Sequence, residues 1–346
     1  MVIPCYNLGA FVGEAVESVL AQTYQDFEIL VVDDGSTDPA TVAVLDSLDR
    51  PRTTVFRTAN RGVMAARNFL LAKARGEYLC AVDADDYLHP EYLARTVAVL
   101  ERDPSIGFVS TRMHMFGIEE RDWPDDTRCD LETLLCHCPV HCAALVRRSA
   151  VVAAGGYDEG MAHQGNEDWD LWIGIAESGL GGAILDEVLY FYRQRPGSLS
   201  RTATRGDAHL DSVEHIVRKH EPSYRAHLAE VSRWKDASLA DLETRNATLE
   251  AGVAATTATI QRLRDELATL TRRLDHAEGP ATAAPDARLS RVEAELHEHR
   301  ARLAAAEAAH QAASAEANAL RTSASWRVTA PLRALYDVLV ASRGNR

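Results

Sequence analysis

Over residues 1–111, short β-prone runs alternate with amphipathic stretches, which leaves few architectures open to the chain. Met1 to Cys5 reads as the stump of a strand, with Pro4 and Tyr6-Asn7 leading into a turn. It is abrupt for a buried first strand, so either the start is late or the strand is short. Gly9 to Gln22 places Phe11, Ala15, Val19 and Leu20 at helical spacing. Phe27 to Val32 predicts a strand, stopped by the acidic turn Asp33-Asp34-Gly35-Ser36-Thr37-Asp38. A helix over Ala40 to Leu48, a strand over Thr53 to Arg57, a turn at Asn60-Arg61-Gly62 and a helix from Val63 to Arg75 follow, with Gly76 as the stop. Tyr78 to Val82 is the next strand, Pro90 to Arg102 the next helix and Ile106 to Thr111 another strand. Such alternation predicts an α/β fold: a mostly parallel sheet with helices on both faces. Right-handed crossovers then bring the strand ends to one edge, so Asp34, Asp83 and Asp85 are expected along one rim.

The apolar run Tyr78 to Val82 ends in Asp83, Asp85 and Asp86. Ligands of open α/β sheets sit beyond such strand ends. Asp83 and Asp85, two apart at a bent strand end, can offer oxygens to one hard cation, whose natural use is to hold a diphosphate. Taken alone, the acids fit better an acidic turn before a helix that starts at Pro90.

A net charge of −14 argues against nonspecific nucleic-acid binding. No apolar run approaches the roughly 20 residues that span a bilayer, and Val2-Ile3-Pro4 is no signal peptide. The default expectation is a cytoplasmic protein, and its six cysteines are expected as thiols.

Residues 117–140 read as irregular and acidic, Ala143 to Val146 as a strand, and Gly155-Gly156-Tyr157-Asp158 as a turn. A helix starts within Gly165 to Trp172, its acidic first turn suiting the helix dipole. Ala183 to Arg193 is a strand ended by Pro196-Gly197-Ser198. Cys129, Cys136, His137, Cys138, His141 and Cys142 are spaced too irregularly for paired zinc knuckles. A small buried strand is the preferred reading there, with His137 or His141 as acceptor contacts.

From Leu239 a heptad seam runs through Leu242, Asn246, Leu249, Val253, Thr256, Ile260, Leu263, Leu267, Leu270 and Leu274. It predicts a coiled coil, the alternative being a long solvated helix. A weaker second run uses Leu289, Val292, Leu296, His299, Leu303, Ala306, His310, Ala313, Ala317 and Leu320. The end carries Leu332, Leu335, Tyr336 and Leu339 on one helical face, for an anionic membrane surface, a partner or simple docking.

Pro4-Cys5-Tyr6-Asn7, Gln22-Thr23-Tyr24, Val32-Asp33-Asp34-Gly35-Ser36-Thr37-Asp38, Asn60-Arg61-Gly62 with Ala66-Arg67-Asn68, Gly76-Glu77-Tyr78 and Asp83-Ala84-Asp85-Asp86 occur in that order. With Gly155-Gly156-Tyr157-Asp158 and Glu167-Asp168, the set closely resembles the family 2 glycosyltransferases, which have the GT-A fold. The resemblance runs to about Arg201. The last motif, Ser325-Trp326-Arg327-Val328-Thr329-Ala330-Pro331-Leu332-Arg333, resembles tails that follow coiled coils in bacterial surface-polysaccharide enzymes.

The resemblance implies an inverting, metal-dependent enzyme that moves one sugar from a nucleotide-diphosphate donor, commonly UDP-linked, to a glycan or glycolipid hydroxyl. By it, Asp34 holds the base, and Asp33, Pro4, Tyr6, Asn60 and Arg67 belong to the nucleotide site. Asp83 and Asp85 match the metal-binding Asp-x-Asp, for Mg²⁺ or Mn²⁺, and Asp168 the catalytic base, with Glu167 beside it. An acceptor hydroxyl must lose its proton as the new bond forms, which a carboxylate can take. Without that context Glu167-Asp168 reads as acidic helix capping. Arg195 stands where many relatives have His, and can pair with phosphate directly. The Gln-x-x-Arg-Trp pattern of processive synthases is absent.

The expected organisation is a transferase domain over 1–205, a helical connector over 206–236, a coiled coil over 237–278 and a linker over 279–287. A second heptad helix over 288–322 and an amphipathic tail over 323–346 complete it. The coil predicts a homo-oligomer, and the tail a peripheral place at the inner face of the plasma membrane or on a partner enzyme. The rival is a non-catalytic domain on a scaffold for polysaccharide-synthesis enzymes. A nucleotidyltransferase would need a phosphate loop that Asn7-Leu8-Gly9-Ala10 does not supply.

Overall fold

The computed structural model describes residues 1–118, 120–124, 127–195, 206–277 and 285–322. The expected turn at 196–198, most of the linker and the amphipathic tail over 323–346 lie outside these. The chain divides into two compact units, Met1–Trp234 and Lys235–Arg346.

In the first unit, β1 (Val2–Cys5), β2 (Ile29–Asp34) and β3 (Thr53–Thr58) form a parallel set with β2 in the middle. The helices α1 (Gly9–Leu20), α2 (Pro39–Asp46) and α3 (Val63–Lys73) connect and follow these strands. Ile29 and Val31 pack into one cluster, and Leu30 and Val32 into another. A strand covered on both faces therefore reads as continuous apolar sequence. The strand expected over Tyr78–Val82 is a ladder only at β4 (Tyr78–Leu79), followed by a parallel bridge between Val2 and Ala81. There Val2 N–H donates to Cys80 O at 2.9 Å, and Val82 N–H to Val2 O at 3.0 Å. This bridge joins the parallel set to the rest of the sheet.

The remaining strands are β5 (Tyr87–Leu88), β6 (Ile106–Gly117), β7 (Arg121–Trp123), β8 (Leu145–Arg147) and β9 (Gly181–Gln194). Their order is β4-β8-β6-β9-β5, with β7 on β6. Pairing is parallel between β6 and β9 and antiparallel elsewhere in this part, so the whole sheet is mixed. β6 runs six residues past its expected end at Thr111, because its polar continuation pairs with β9 as far as Gly117↔Gln194. Helices α4 (Tyr92–Arg102), α5 (Leu131–Cys136), α6 (Arg148–Ala153) and α7 (Glu167–Glu177) complete the layers. The short strand expected among the cysteines does not form. Asp130 caps α5, accepting from Thr133 N–H at 2.8 Å, and Cys136 is the last residue of that helix.

Helices α8 (Gly206–Lys219) and α9 (Glu221–Ala226) follow the sheet. The long helices are α10 (Leu228–Ala277) and α11 (Pro285–Thr322). Within the second unit they pair antiparallel: Arg273 meets Glu295 at 3.3 Å, His299 meets Glu266 at 3.1 Å, and Arg264 meets Glu307 at 2.8 Å. Ile260, Leu263 and Leu270 of one seam, and Val292, Leu296 and Ala317 of the other, are buried. Leu242, Leu249, Val253, Leu267 and Leu303 are half-buried, so one chain covers part of both heptad stripes. Among the described residues, no helix is long and apolar enough to cross a membrane.

Candidate active site

The parallel register sets the edge. Cys5 lies beside Asp33, Asp34 beside Thr58, and the bridged segment ending at Val82 delivers Asp83 next to them. Two loops are tied together here. Asn7, at φ 55, accepts from Thr37 N–H at 2.8 Å and from Asp38 N–H at 2.9 Å. Asn tolerates this left-handed conformation better than most residues. Gly35 has φ 69, and a Cβ there would stand 2.5 Å from Asn60 N, so the close approach of the two loops requires glycine.

Asp34 is buried. Its Oδ1 accepts from Arg61 N–H at 3.1 Å and its Oδ2 from Gly62 N–H at 2.9 Å. It therefore fixes the Asn60-Arg61-Gly62 turn, leaving further lone pairs for a ligand donor. Asp33 accepts from Ser36 N–H at 2.8 Å. Pro4 is buried in β1, while Tyr6 is exposed at this edge and Asn60 is exposed in its turn.

Arg67, expected with the nucleotide residues, turns toward two acids of the site. It is 2% exposed, donating from Nη1 to Glu167 Oε1 at 2.7 Å and from Nη2 to Asp83 Oδ1 at 2.8 Å. Two carboxylates drew it inward, where burial opposes its charge but Asp83 and Glu167 hold it ionised. The next residue, Asn68, donates to Tyr157 O at 2.8 Å and accepts from Tyr157 N–H at 2.9 Å. The Ala66-Arg67-Asn68 motif thereby fastens both the Gly155–Asp158 turn and the start of α7.

The three acids after Val82 differ. Asp86 is buried, accepting from Arg193 N–H at 2.7 Å and from the Tyr190 hydroxyl. Burial first, then the charges of Asp83 and Asp85, push its carboxyl well above the usual range. Asp83 and Asp85 keep partly accessible side chains. Burial and then Asp83 raise the Asp85 carboxyl, while Arg195 Nε at 2.7 Å from Asp85 Oδ2 opposes the shift. Asp83 and Asp85 offer the oxygen donors that a hard divalent cation takes, each already paired with an arginine, and among the described residues no group of three or more His, Cys, Asp or Glu could hold a metal ion.

Asp168, in the first turn of α7, is half-buried. Burial first, then the neighbouring Glu167 charge, push it up to about 7. Glu167 itself is buried and committed to Arg67 and to Gly165 N–H. Of the two, Glu167 is the one tied to the guanidinium, while Asp168 accepts from Trp169 N–H at 2.9 Å. Of the two histidines expected to touch the acceptor, His141 is buried and His137 half-buried. His141 is 5% exposed in the core, its ring 4.5 Å from that of Tyr190, and burial takes its pKa to about 3. His137 stacks on Trp234 at 5.1 Å. The motifs did not signal Cys142, whose Sγ lies 3.7 Å from Asp83 Oδ2, nor the Tyr190–Asp86 bond, because only β9 pairing brings Tyr190 here.

Residues 1–153 match the family model described as Glycosyl transferase family 2. An uncharacterized protein, y4gI of Sinorhizobium fredii, is 33% identical over 217 residues, which cover 57% of this chain and 22% of that protein. The putative glycosyltransferase EpsE of Bacillus subtilis is 29% identical over 213 residues, 58% of this chain and 74% of that protein. Chondroitin synthase of Escherichia coli is 28% identical over 186 residues, 51% of this chain and 26% of that one. The match thus spans well under two thirds of y4gI and of chondroitin synthase. Among solved structures, S. aureus TarS 1-349 in complex with UDP-GlcNAc gives a TM-score of 0.55 at 20% identity, covering 67% of this chain and 70% of that one. Mannosyltransferase PcManGT from Pyrobaculum calidifontis, in complex with GDP-Man and Mn²⁺, gives 0.54 at 21% identity, covering 91% and 85%. These likenesses establish a GT-A-like fold.

Proposed function

We propose that this chain, whose residues 1–153 match the Glycosyl transferase family 2 model, moves one sugar from a UDP-linked donor to a hydroxyl of a polysaccharide or glycolipid, with inversion. The observation that carries the reading is Asp168: a half-buried carboxyl at about 7 on the helix whose Glu167 is tied through Arg67 to Asp83. A carboxylate poised there can take an acceptor proton at neutral pH. Asp33 and Asp34 would receive the base, with Pro4 and Tyr6 lining it and Asn60 at its rim. Asp83 and Asp85 would hold Mg²⁺ or Mn²⁺, which when bound offsets the charge of the departing diphosphate. Arg195 is within reach of the same phosphates, since it already meets Asp85. Its position favours a second reading, in which the guanidinium takes the diphosphate without a metal.

Calorimetric titration of UDP with and without Mn²⁺, beside Asp85→Ala, tests this. Metal-dependent binding lost in the variant supports the first reading, and metal-independent binding lost in Arg195→Ala supports the second. No binding of UDP, GDP or dTDP would sink both in favour of a scaffold. For the heptad helices we favour a coiled-coil hairpin within one chain over a homo-oligomer, because ion pairs join them and part of each seam is covered. A cytoplasmic place, with the tail at a membrane or partner enzyme, rests on the sequence alone.

A further inference from the structure

Residues two apart on a helix point about 200° apart, so Asp170 faces the opposite way from Asp168. It is 1% exposed, on the side of α7 away from the site. A buried carboxylate there is costly unless paired. Its partners come from the junction of α8 and α9. Lys219 Nζ donates to Asp170 Oδ2 at 2.7 Å, and His220 Nε2 lies 3.1 Å from Asp170 Oδ1. The other ring nitrogen, Nδ1, lies 2.8 Å from Glu177 Oε2 at the far end of α7. Both ring nitrogens face carboxylate oxygens, an arrangement that only the doubly protonated imidazolium satisfies. Lys219 also reaches Asp158 Oδ2 at 3.0 Å, so the same junction grips the turn that Asn68 holds.

We infer that His220 and Lys219 are positioning residues, which hold α7 from behind so that Asp168 stands at the sugar site. The inference rests on the reading of Asp168 as the base. Arg67 grips the front of α7 through Glu167, and the junction grips its back through Asp170 and Glu177. The charged and titratable groups around the ring are Asp170 and Glu177 from α7 and Lys219 beside it, with Asp158 and His215 one contact further. Burial opposes charge on His220, yet the bonds from its two carboxylates raise its pKa above the ordinary value. A cavity of about 270 Å³ is lined in part by Asp170, Glu177, Lys219 and His220. The grip is therefore complete at low pH and is lost as pH rises through the raised pKa of His220.

Hydrogen exchange of the full chain tests this, with rates corrected for intrinsic pH dependence. In His220→Gln, which can donate to only one carboxylate, amides of α7 should open about tenfold more often. Protection of β2 should stay within about twofold. Wild-type α7 should lose protection as pH rises from about 6 to 9, and His220→Gln should show no such dependence. Lys219→Met should loosen α7 and residues 157–160 together. With UDP-GlcNAc as donor, kcat should fall about tenfold in His220→Gln with little change in KM. Unchanged α7 exchange in both variants overturns the inference, as does an equal loss of protection in α7 and β2. Failure of the wild type to turn over UDP-GlcNAc would count against that donor, while the exchange data still decide the grip.

Discussion

The two units of this chain are stabilised in different ways. The second is nearly one-dimensional: two helices meet along heptad stripes, and each seam residue contacts a neighbour predictable from its spacing. The first encloses charge. Arg67, Asp86, Glu167 and Asp170 are all at most 5% exposed, each held by partners distant in sequence, because chemistry at the sheet edge needs acids that a dry core would reject. Seams tolerate change locally, whereas the buried charges of the first unit act as a group.

Asp168→Asn separates the two units most sharply. It should lower kcat by about a thousandfold, since a general base supplies 10²–10⁴. It should leave Tm unchanged or higher, because it removes a carboxyl that burial disfavours. Arg67→Met should cost about 3–5 kcal/mol in urea unfolding of the first unit, by leaving Asp83 and Glu167 uncompensated. Equal stability would show that water, and not Arg67, neutralises them. Leu263→Ala should destabilise the helical pair by about 2–4 kcal/mol with unaltered kcat. Loss of activity there would mean that the units are coupled. For pH, kcat/KM should rise about tenfold per unit up to about 7 and then level. The sign follows from the role: a base must be unprotonated, and Asp168 holds its proton below that point. A flat profile between pH 5.5 and 8 would remove Asp168 from the mechanism. Smallest, Asn246→Leu should stabilise the helical pair by about 1 kcal/mol, because Asn246 Oδ1 is buried without a partner.

Much of the site was legible as sequence. Asp34, Asp83 and Asp85 were expected along one rim, and the parallel register brings the end of β2 and the bridged segment before Asp83 to the same edge. Arg67 was named with the nucleotide residues, but its direction is set by Asp83 and Glu167, which lie 16 and 100 positions away. His141 was expected as an acceptor contact from its place among cysteines and a histidine in sequence. In three dimensions it is a neutral core residue against Tyr190. His220 gave no signal at all, since its meaning depends on Asp170 and Glu177 lying behind α7.

By itself the sequence determined periodicity: which runs are strands buried on both faces, which are helices, and where the heptad stripes lie. Those are properties of neighbours along the chain, written in spacings of two, 3.6 and seven. Tertiary structure decided the ionisation and orientation of the acids. Whether Asp83 meets a guanidinium or Asp86 a tyrosine depends on contacts far apart in sequence, and the burial that raises the pKa of Asp86 and Asp168 comes only with the fold.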